Sequence, residues 1–174
     1  MRRNRTIPVG AAALGAVLLA CTPPLSAAPQ TSVWPSSGNP SACAAASRSG
    51  WYAVADTAGD TVEIRGIRGD LRRTISRSEL NSLAGWLSLD NGGDGPSALA
   101  WTDSGRSLFI AVHDNEPGGG GLGSDAVFRY DAVLDLLTLF ARADISDDTA
   151  THPHPALLHF RGRLYIGRDD GLLE

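Results

Sequence analysis

Lysine is absent from this chain of 174 residues: all 15 of its basic residues are arginines. Cysteine is scarce as well, and aromatic residues make up only 6% of the chain. With so few aromatic side chains, the core has to rest on leucine, isoleucine, valine and alanine. Apolar residues make up 43% and charged residues 20%, a balance typical of a folded globular protein rather than a disordered chain.

The sequence also lacks an apolar run of the ~20 residues that a membrane-spanning helix needs. The longest run, residues 7–20, follows the basic start Arg2-Arg3-Asn4-Arg5. A basic start and a short apolar run are typical of a secretory signal peptide. We therefore expect an exported protein, located in the periplasm or cell envelope or secreted.

Two cleavage sites are possible at the end of this leader. Leu18-Leu19-Ala20-Cys21 resembles the lipobox of bacterial lipoproteins, which implies a leader of residues 1–20 and lipidation of Cys21. The small residues up to Ala28 instead suit ordinary cleavage and a signal peptide of residues 1–28. Contact with a membrane is expected only through such a lipid anchor.

Because Cys21 is either removed or lipidated, Cys43 is left as the single free thiol, so an intramolecular disulfide is excluded and a structural thiol is expected. Residues 29–40, rich in proline, serine and glycine, are predicted to form a tether. The folded part is then expected over residues 41–174.

Loss of the leader removes three arginines, leaving 12 arginines against 19 acidic residues. An acidic surface repels phosphate backbones, so nucleic acid is not an expected partner. Such a surface suits either a divalent cation or a cationic partner, and solvated acidic loops are the alternative.

The rest of the chain contains an internal sequence repeat. Residues 51–56, 108–114 and 164–169 are apolar runs that each end in aspartate, and a second short apolar run follows each of them. An earlier run precedes the second and third copies, and a fourth run, residues 136–140, completes the second. Four short β-type runs divided by glycine and aspartate turns indicate an antiparallel meander.

Residues 98–111 have the sequence Ala-Leu-Ala-Trp-Thr-Asp-Ser-Gly-Arg-Ser-Leu-Phe-Ile-Ala. This segment resembles the blade core of bacterial β-propellers of the NHL, YVTN and gluconolactonase-like type. The resemblance implies an all-β fold of four-stranded antiparallel blades, about two and a half of them. Propellers have four to eight blades, so the chain is expected to be a piece of a longer protein, with ring closure between chains as the alternative.

One segment has helical rather than strand spacing. Leu80, Leu83 and Ala84 recur at intervals of one turn between Ser76 and Trp86, and Ser76 or Ser78 can cap the start. A short helix is predicted there, between the first two blades.

The longest glycine-rich loop begins after residue 113. Asp114, Glu116 and Asp125 supply oxygen ligands of the kind that Ca²⁺ or another divalent cation prefers. The spacing matches no fixed calcium loop, and a flexible connection between strands is the alternative. The same glycines are not followed by the lysine of a phosphate-binding loop.

His152 and His154 lie two residues apart, with His159 close behind, and imidazoles at such spacing can bind a transition metal. The intervening prolines favour a surface loop, which is the alternative.

Gluconolactonase-like enzymes hold one metal at the central opening with strand-end residues. The resemblance therefore implies Asp56, Asp114 and Asp169 as metal ligands, whereas aspartate also ends strands for purely structural reasons. No Gly-x-Ser-x-Gly is present, so a serine hydrolase with a nucleophile elbow is unsupported. The sequence assigns no catalytic residue.

The preferred function is that of an exported propeller fragment whose loops bind a ligand or protein partner. A metal-dependent hydrolase of gluconolactonase-like or phytase-like type and a structural envelope lipoprotein are the two alternatives.

Overall fold

The computed structural model describes residues 40–46, 48–56, 59–89, 95–114, 125–143, 156–168 and 171–173. All of them belong to one compact unit, Trp34–Glu174. Eleven strands and one helix occupy these ranges: β1 (Pro40–Ala45), β2 (Trp51–Asp56), β3 (Thr61–Gly66), β4 (Leu71–Ile75), α1 (Arg77–Leu83), β5 (Gly95–Trp101), β6 (Ser107–His113), β7 (Asp125–Asp131), β8 (Leu136–Ala143), β9 (Ala156–Phe160), β10 (Arg163–Arg168) and β11 (Gly171–Leu173).

The strands form three antiparallel sheets. Sheet A contains β1–β4 and sheet B contains β5–β8, each with neighbouring strands in chain order. Sheet C contains β9–β11, with β10 in the centre. The predicted β-rich, antiparallel, meandering architecture is confirmed at this level, and none of the three sheets closes on itself.

The predicted helix is present but shorter than its predicted segment. Helix α1 begins after Ser76, whose backbone is extended, and the side chain of Ser76 makes no capping hydrogen bond to the helix. Leu80 is its buried residue, and the N–H of Ala84 donates to the carbonyl of Leu80 at its end. Among the described residues, no helix is long and apolar enough to cross a membrane.

Sheet B is the middle layer of the three. In sheet A, β3 alternates between buried and half-buried residues, and in sheet C, β9 alternates between half-buried and exposed ones. In β6, by contrast, six successive residues are buried. Because successive side chains of a strand point to opposite faces, this continuous burial means that both faces of sheet B are covered.

Two apolar cores lie on the two faces of sheet B. The larger one, between sheets A and B, includes Ile64 and Ile75 from sheet A and Ile110 and Phe128 from sheet B. Helix α1 adds Leu80 to it. The smaller core, between sheets B and C, consists of three buried residues and three half-buried ones that pack against them: Phe109, Val127, Ile166, Ala141, Leu157 and Leu164.

The first strands of the three sheets lie beside one another and run in the same direction. At the start of β1, Ser41 Oγ donates to the carbonyl of Pro96 in β5 at 2.8 Å. Near the other end, Trp101 Nε1 of β5 donates to the carbonyl of Ala44 at 3.2 Å. Strand β9 in turn contacts β5. The corresponding ends of the sheets therefore lie on one side of the molecule.

Strand β1 begins at Pro40, the last residue of the segment predicted as a tether, and supplies a first strand that sequence analysis did not assign to the first copy. The sequence Pro-Ser-Ala opens β1 and follows Gly95 in β5, and both strands have a register shift there, between Pro40 and Ala42 and between Pro96 and Ala98. The two sheets therefore share a local irregularity as well as a strand order.

Candidate functional site

The two ends of the stacked sheets differ in the length of their connections. At one end, here called the turn end, neighbouring strands are joined by residues 46–50, 67–70, 102–106, 132–135 and 161–162. At the opposite end, the loop end, the connections are residues 57–60, 76–94, 114–124, 144–155 and 169–170. Every connection longer than five residues is at the loop end. Long connections positioned by a rigid scaffold are where binding sites are most often found.

Buried carboxylates are concentrated at the loop end. Asp56 ends β2, Asp60 precedes β3, Asp114 follows β6, and Asp125 begins β7. Their exposed fractions are 7%, 0%, 0% and 0% respectively. Burial of a carboxylate away from water is costly unless the carboxylate is hydrogen-bonded or paired. The partners of these four groups therefore show whether each carboxylate has a structural role.

Asp114 is hydrogen-bonded to the connection between α1 and β5. The backbone N–H of Ser88 donates to Asp114 Oδ2 at 2.7 Å, across 26 residues of sequence. Leu89, next to Ser88, is itself buried in the larger core. A predicted metal ligand therefore has a structural role, because it ties this connection to the end of β6.

Asp60 and Asp56 organise the short connection between β2 and β3. Asp60 is fully buried and pairs with Arg77 of α1, with 3.3 Å between Oδ2 and Nη1. Asp56 Oδ1 accepts a hydrogen bond of 3.2 Å from the N–H of Gly59, three residues on, which is a local contact within this connection.

The pair that the structure brings together is His113 and Asp125. His113 Nδ1 lies 2.7 Å from Asp125 Oδ1, and the carboxylate is fully buried. The two residues lie at the ends of adjacent strands: Val112 pairs with Ala126, so the next residues outward face each other. The strand register, rather than the sequence spacing, brings the two side chains together.

The other predicted site residues divide into two groups. Asp56 and Asp114 are at the loop end, as the strand-end pattern predicted. Glu116, His152, His154, Asp169 and the lipidation candidate Cys21 lie outside the described residues. Within the described ranges, no three histidine, cysteine, aspartate or glutamate side chains form a group that could hold a metal ion.

His159, the third histidine of the predicted cluster, lies toward the turn end. Its ring stacks on Phe109 at a centroid distance of 6.2 Å, and its Nδ1 is 3.5 Å from Oδ1 of Asp103. At that distance the contact is electrostatic rather than a hydrogen bond. The ring is thus a packing element between sheets B and C. Cys43, on β1, is an exposed free thiol.

Two ionisable groups of sheet B with shifted pKa values, Tyr130 and Asp131, lie at the turn end. Burial, followed by a hydrogen bond to Asp135, raises the pKa of Tyr130 to about 12. For Asp131, desolvation opposes the shift, but the N–H groups of Leu134 and Val133 and the guanidinium of Arg106 hold the pKa below its usual value. The hydrogen bonds of these groups stabilise the β7–β8 turn.

The two ends also differ in charge. Outside α1, the five loop-end connections contain ten acidic residues and no arginine. The five turn-end connections contain three acidic residues and four arginines. The sequences of the connections that join strands at the loop end are therefore acidic, and the described residues of this end include four buried carboxylates.

Comparison with known proteins adds no relative. No protein-family model and no curated protein matches the chain. Its family therefore remains a prediction from the propeller-like blade sequence of residues 98–111.

Proposed function

We propose that the protein is a non-catalytic binding module of propeller type that captures a cationic partner at its loop end. The observation that carries the proposal is the segregation of charge: ten acidic residues and no arginine in the loop-end connections outside α1, against a nearly balanced turn end. An excess of negative charge at one end of a molecule attracts ligands of the opposite sign and accelerates their association.

The carboxylates of the loop end suit a ligand with several positive charges better than they suit a single metal ion. The described carboxylates are already engaged: Asp114 with Ser88, Asp60 with Arg77, and Asp125 with His113. A calcium site needs six to eight oxygens around one point, whereas an arginine- or lysine-rich segment can pair with carboxylates distributed over several loops. We therefore rank a cationic peptide or protein above a divalent cation.

The propeller-type arrangement is part of the same proposal. Two four-stranded meanders with a shared strand order, stacked with their first strands side by side, support it. The basic start and the short apolar run of residues 7–20 support the proposed export. Mass spectrometry of the membrane fraction tests lipidation of Cys21, since a Cys21→Ala form that still partitions with membranes would contradict it.

Fluorescence anisotropy with a labelled arginine-rich peptide tests the binding proposal. We expect the full chain to bind this peptide at low salt, with affinity falling steadily as salt screens the charges. Asp147→Asn combined with Asp148→Asn, in the connection after β8, should weaken binding several-fold. Asp70→Asn is the matched control, because Asp70 is an exposed turn-end carboxylate paired with Arg72; it should bind as the wild type does.

A peptide that does not bind at low salt would contradict the proposal, and so would equal losses from the loop-end and turn-end substitutions. Addition of CaCl₂ is the second arm of the experiment. A large thermal stabilisation by Ca²⁺ that is lost in Asp114→Asn would instead favour the metal-dependent hydrolase, with Asp56 and Asp114 as ligands.

A further inference from the structure

We infer that the turn end of sheet A binds an acidic segment of a partner protein, in which a carboxylate pairs with Arg68 and a neighbouring apolar side chain packs on Ile67 and Trp51. This surface is at the opposite end of the sheets from the connections proposed to capture a cationic partner. The inference is therefore independent of that proposal and requires a partner of opposite charge.

Two connections of sheet A form an open cleft at the turn end. Residues 46–50 join β1 to β2 and residues 67–70 join β3 to β4. The N–H of Ile67 donates to the carbonyl of Gly50 at 2.7 Å and so links the two connections. The cleft has a volume of about 530 Å³, and Trp51, Ile67 and Arg68 line it. Ligand sites commonly have volumes of ~300–1,000 Å³, so the cleft is large enough to receive side chains of a bound segment.

The cleft exposes an apolar side chain at a position where the fold does not require one. Ile67 and Arg68 are the central residues of a tight turn, which the N–H of Gly69 closes by donating to the carbonyl of Gly66 at 2.8 Å. Glycine, proline, asparagine, aspartate and serine are the usual residues of such turns. Ile67 is instead 71% exposed, so it contributes little to the core and is available to pack against a partner.

Trp51 gives the same cleft an aromatic wall that is held in place from behind. Its ring packs against Trp101 of sheet B, with the centroids 6.2 Å apart and the ring planes at 60°. Trp51 is only partly buried by the larger core, and it also lines the cleft. A ring that is already fixed loses little conformational entropy when a ligand packs on it, which is why aromatic side chains are frequent anchors of binding surfaces.

Positive charge surrounds the cleft, and Arg68 is the cation at its rim that lacks a counterion. The two connections and the start of β4 contain Arg48, Arg68 and Arg72, against the single carboxylate of Asp70. Asp70 is already paired with Arg72, with 2.8 Å between Oδ2 and Nε. Arg68 is exposed and forms no ion pair within the part of the chain that the structure describes. Its guanidinium can therefore accept a carboxylate of the partner in a bidentate pair.

The exposure of this rim favours a protein segment over a small anion. An ion pair in water stabilises a complex little, because solvent and salt screen it. A protein segment adds the apolar contact with Ile67 and Trp51 and excludes water from the pair. An anionic membrane is disfavoured, because membrane recognition commonly uses clusters of about 4–8 basic residues, more than Arg48, Arg68 and Arg72 provide.

Fluorescence anisotropy with a labelled peptide of glutamate and phenylalanine tests the inference on the full chain. We expect binding at low salt that weakens as salt is added. Arg68→Glu should lower the affinity about tenfold, because it replaces attraction by repulsion. Ile67→Ser should lower the affinity several-fold.

Matched controls are available at the turn ends of the other two sheets. Val133, in the β7–β8 connection, is 69% exposed and so matches Ile67, and Arg161, in the β9–β10 connection, is exposed and matches Arg68. Neither residue lines the cleft. Val133→Ser and Arg161→Glu should therefore bind the peptide as the wild type does. Far-ultraviolet circular dichroism confirms that each variant is folded, and Ile67→Ala replaces Ile67→Ser if that variant is not.

A second peptide, in which serine replaces phenylalanine, separates the apolar contact from the charge. The wild type should bind it several-fold more weakly than the first peptide, and this difference should shrink in Ile67→Ser because the two changes remove the same contact. Three results would each overturn the inference: no binding of the first peptide at low salt, equal losses in Arg68→Glu and Arg161→Glu, or equal affinity of the wild type for the two peptides. Vesicles that contain phosphatidylserine are the remaining probe, and binding to them without binding to the peptide would overturn the inference in favour of a membrane.

The two binding proposals can fail separately. Asp147→Asn combined with Asp148→Asn should leave the affinity for the acidic peptide unchanged, and Ile67→Ser should leave the affinity for the arginine-rich peptide unchanged. The reason is that these residues belong to connections at opposite ends of the sheets. Loss of acidic-peptide binding in the aspartate variant would place the site outside the cleft and overturn the inference.

Discussion

The role of Asp114 can be decided by removing its carboxylate in the absence of metal. The Ser88 N–H donates to this fully buried group at 2.7 Å. A hydrogen bond to a charged group contributes about 1.5–3 kcal/mol, so Asp114→Ala should lower the free energy of unfolding by about 2 kcal/mol. For a chain of this size, that corresponds to a fall in Tm of about 4–8 °C. Asp114→Asn keeps one acceptor oxygen and should lose about half as much.

Urea unfolding in the presence of EDTA measures this loss, and hydrogen exchange of the Ser88 amide reports on the contact itself. Asp70→Ala is the control, since its carboxylate is half exposed and its pair with Arg72 stabilises little. A metal ligand would behave in the opposite way: without its cation, gathered carboxylates repel one another, and removing one raises stability. A variant as stable as the wild type, or more stable, would therefore refute the structural role of Asp114.

Three further perturbations follow from the packing of sheet B. Tyr130→Phe should remove the tyrosine that ionises near pH 12 in ultraviolet titration. Burial and the hydrogen bond to Asp135 raise the pKa of Tyr130, so the neutral phenol stabilises the folded chain fully below pH 10. This stabilisation is lost between pH 10 and about 12. Trp101→Phe removes the donor to the Ala44 carbonyl and should cost about 1 kcal/mol in urea unfolding. Phe128→Ala empties a fully buried position in the larger core and should cost about 3–5 kcal/mol in the same measurement.

Most strands could be predicted because their side chains carry a strong apolar pattern. Residues 51–56 coincide with β2, and residues 108–114 overlap β6 except at one residue at each end. Strand β1 was missed because alanine, serine and cysteine give almost no hydrophobic signal, and its Pro-Ser-Ala start, shared with β5, was the available clue. Strand β4 was missed because it lies at a sheet edge, where Arg72 and Arg73 obscure the alternation.

The candidate site was predictable in position but not in its contacts. The strand-end pattern implied one metal site for Asp56, Asp114 and Asp169. Asp56 and Asp114 lie at the same end of the sheets, and their role as metal ligands stays a prediction. That His113 would pair with Asp125 depended on the register of two strands separated by a long connection, which composition does not determine. The engagement of Asp114 with a backbone amide 26 residues earlier depended on the path of the chain after α1, which no local pattern encodes.

The unequal cores on the two sides of sheet B have a consequence for how the molecule opens. Within the described ranges, sheet C is anchored by the three buried residues Phe109, Val127 and Ile166, whereas sheets A and B share a core several times larger. Local opening follows the regions with least buried apolar contact, so sheet C should detach before the rest unfolds. Amides of β10 are then expected to exchange through a sub-global opening, and those of β6 and β7 only through global unfolding.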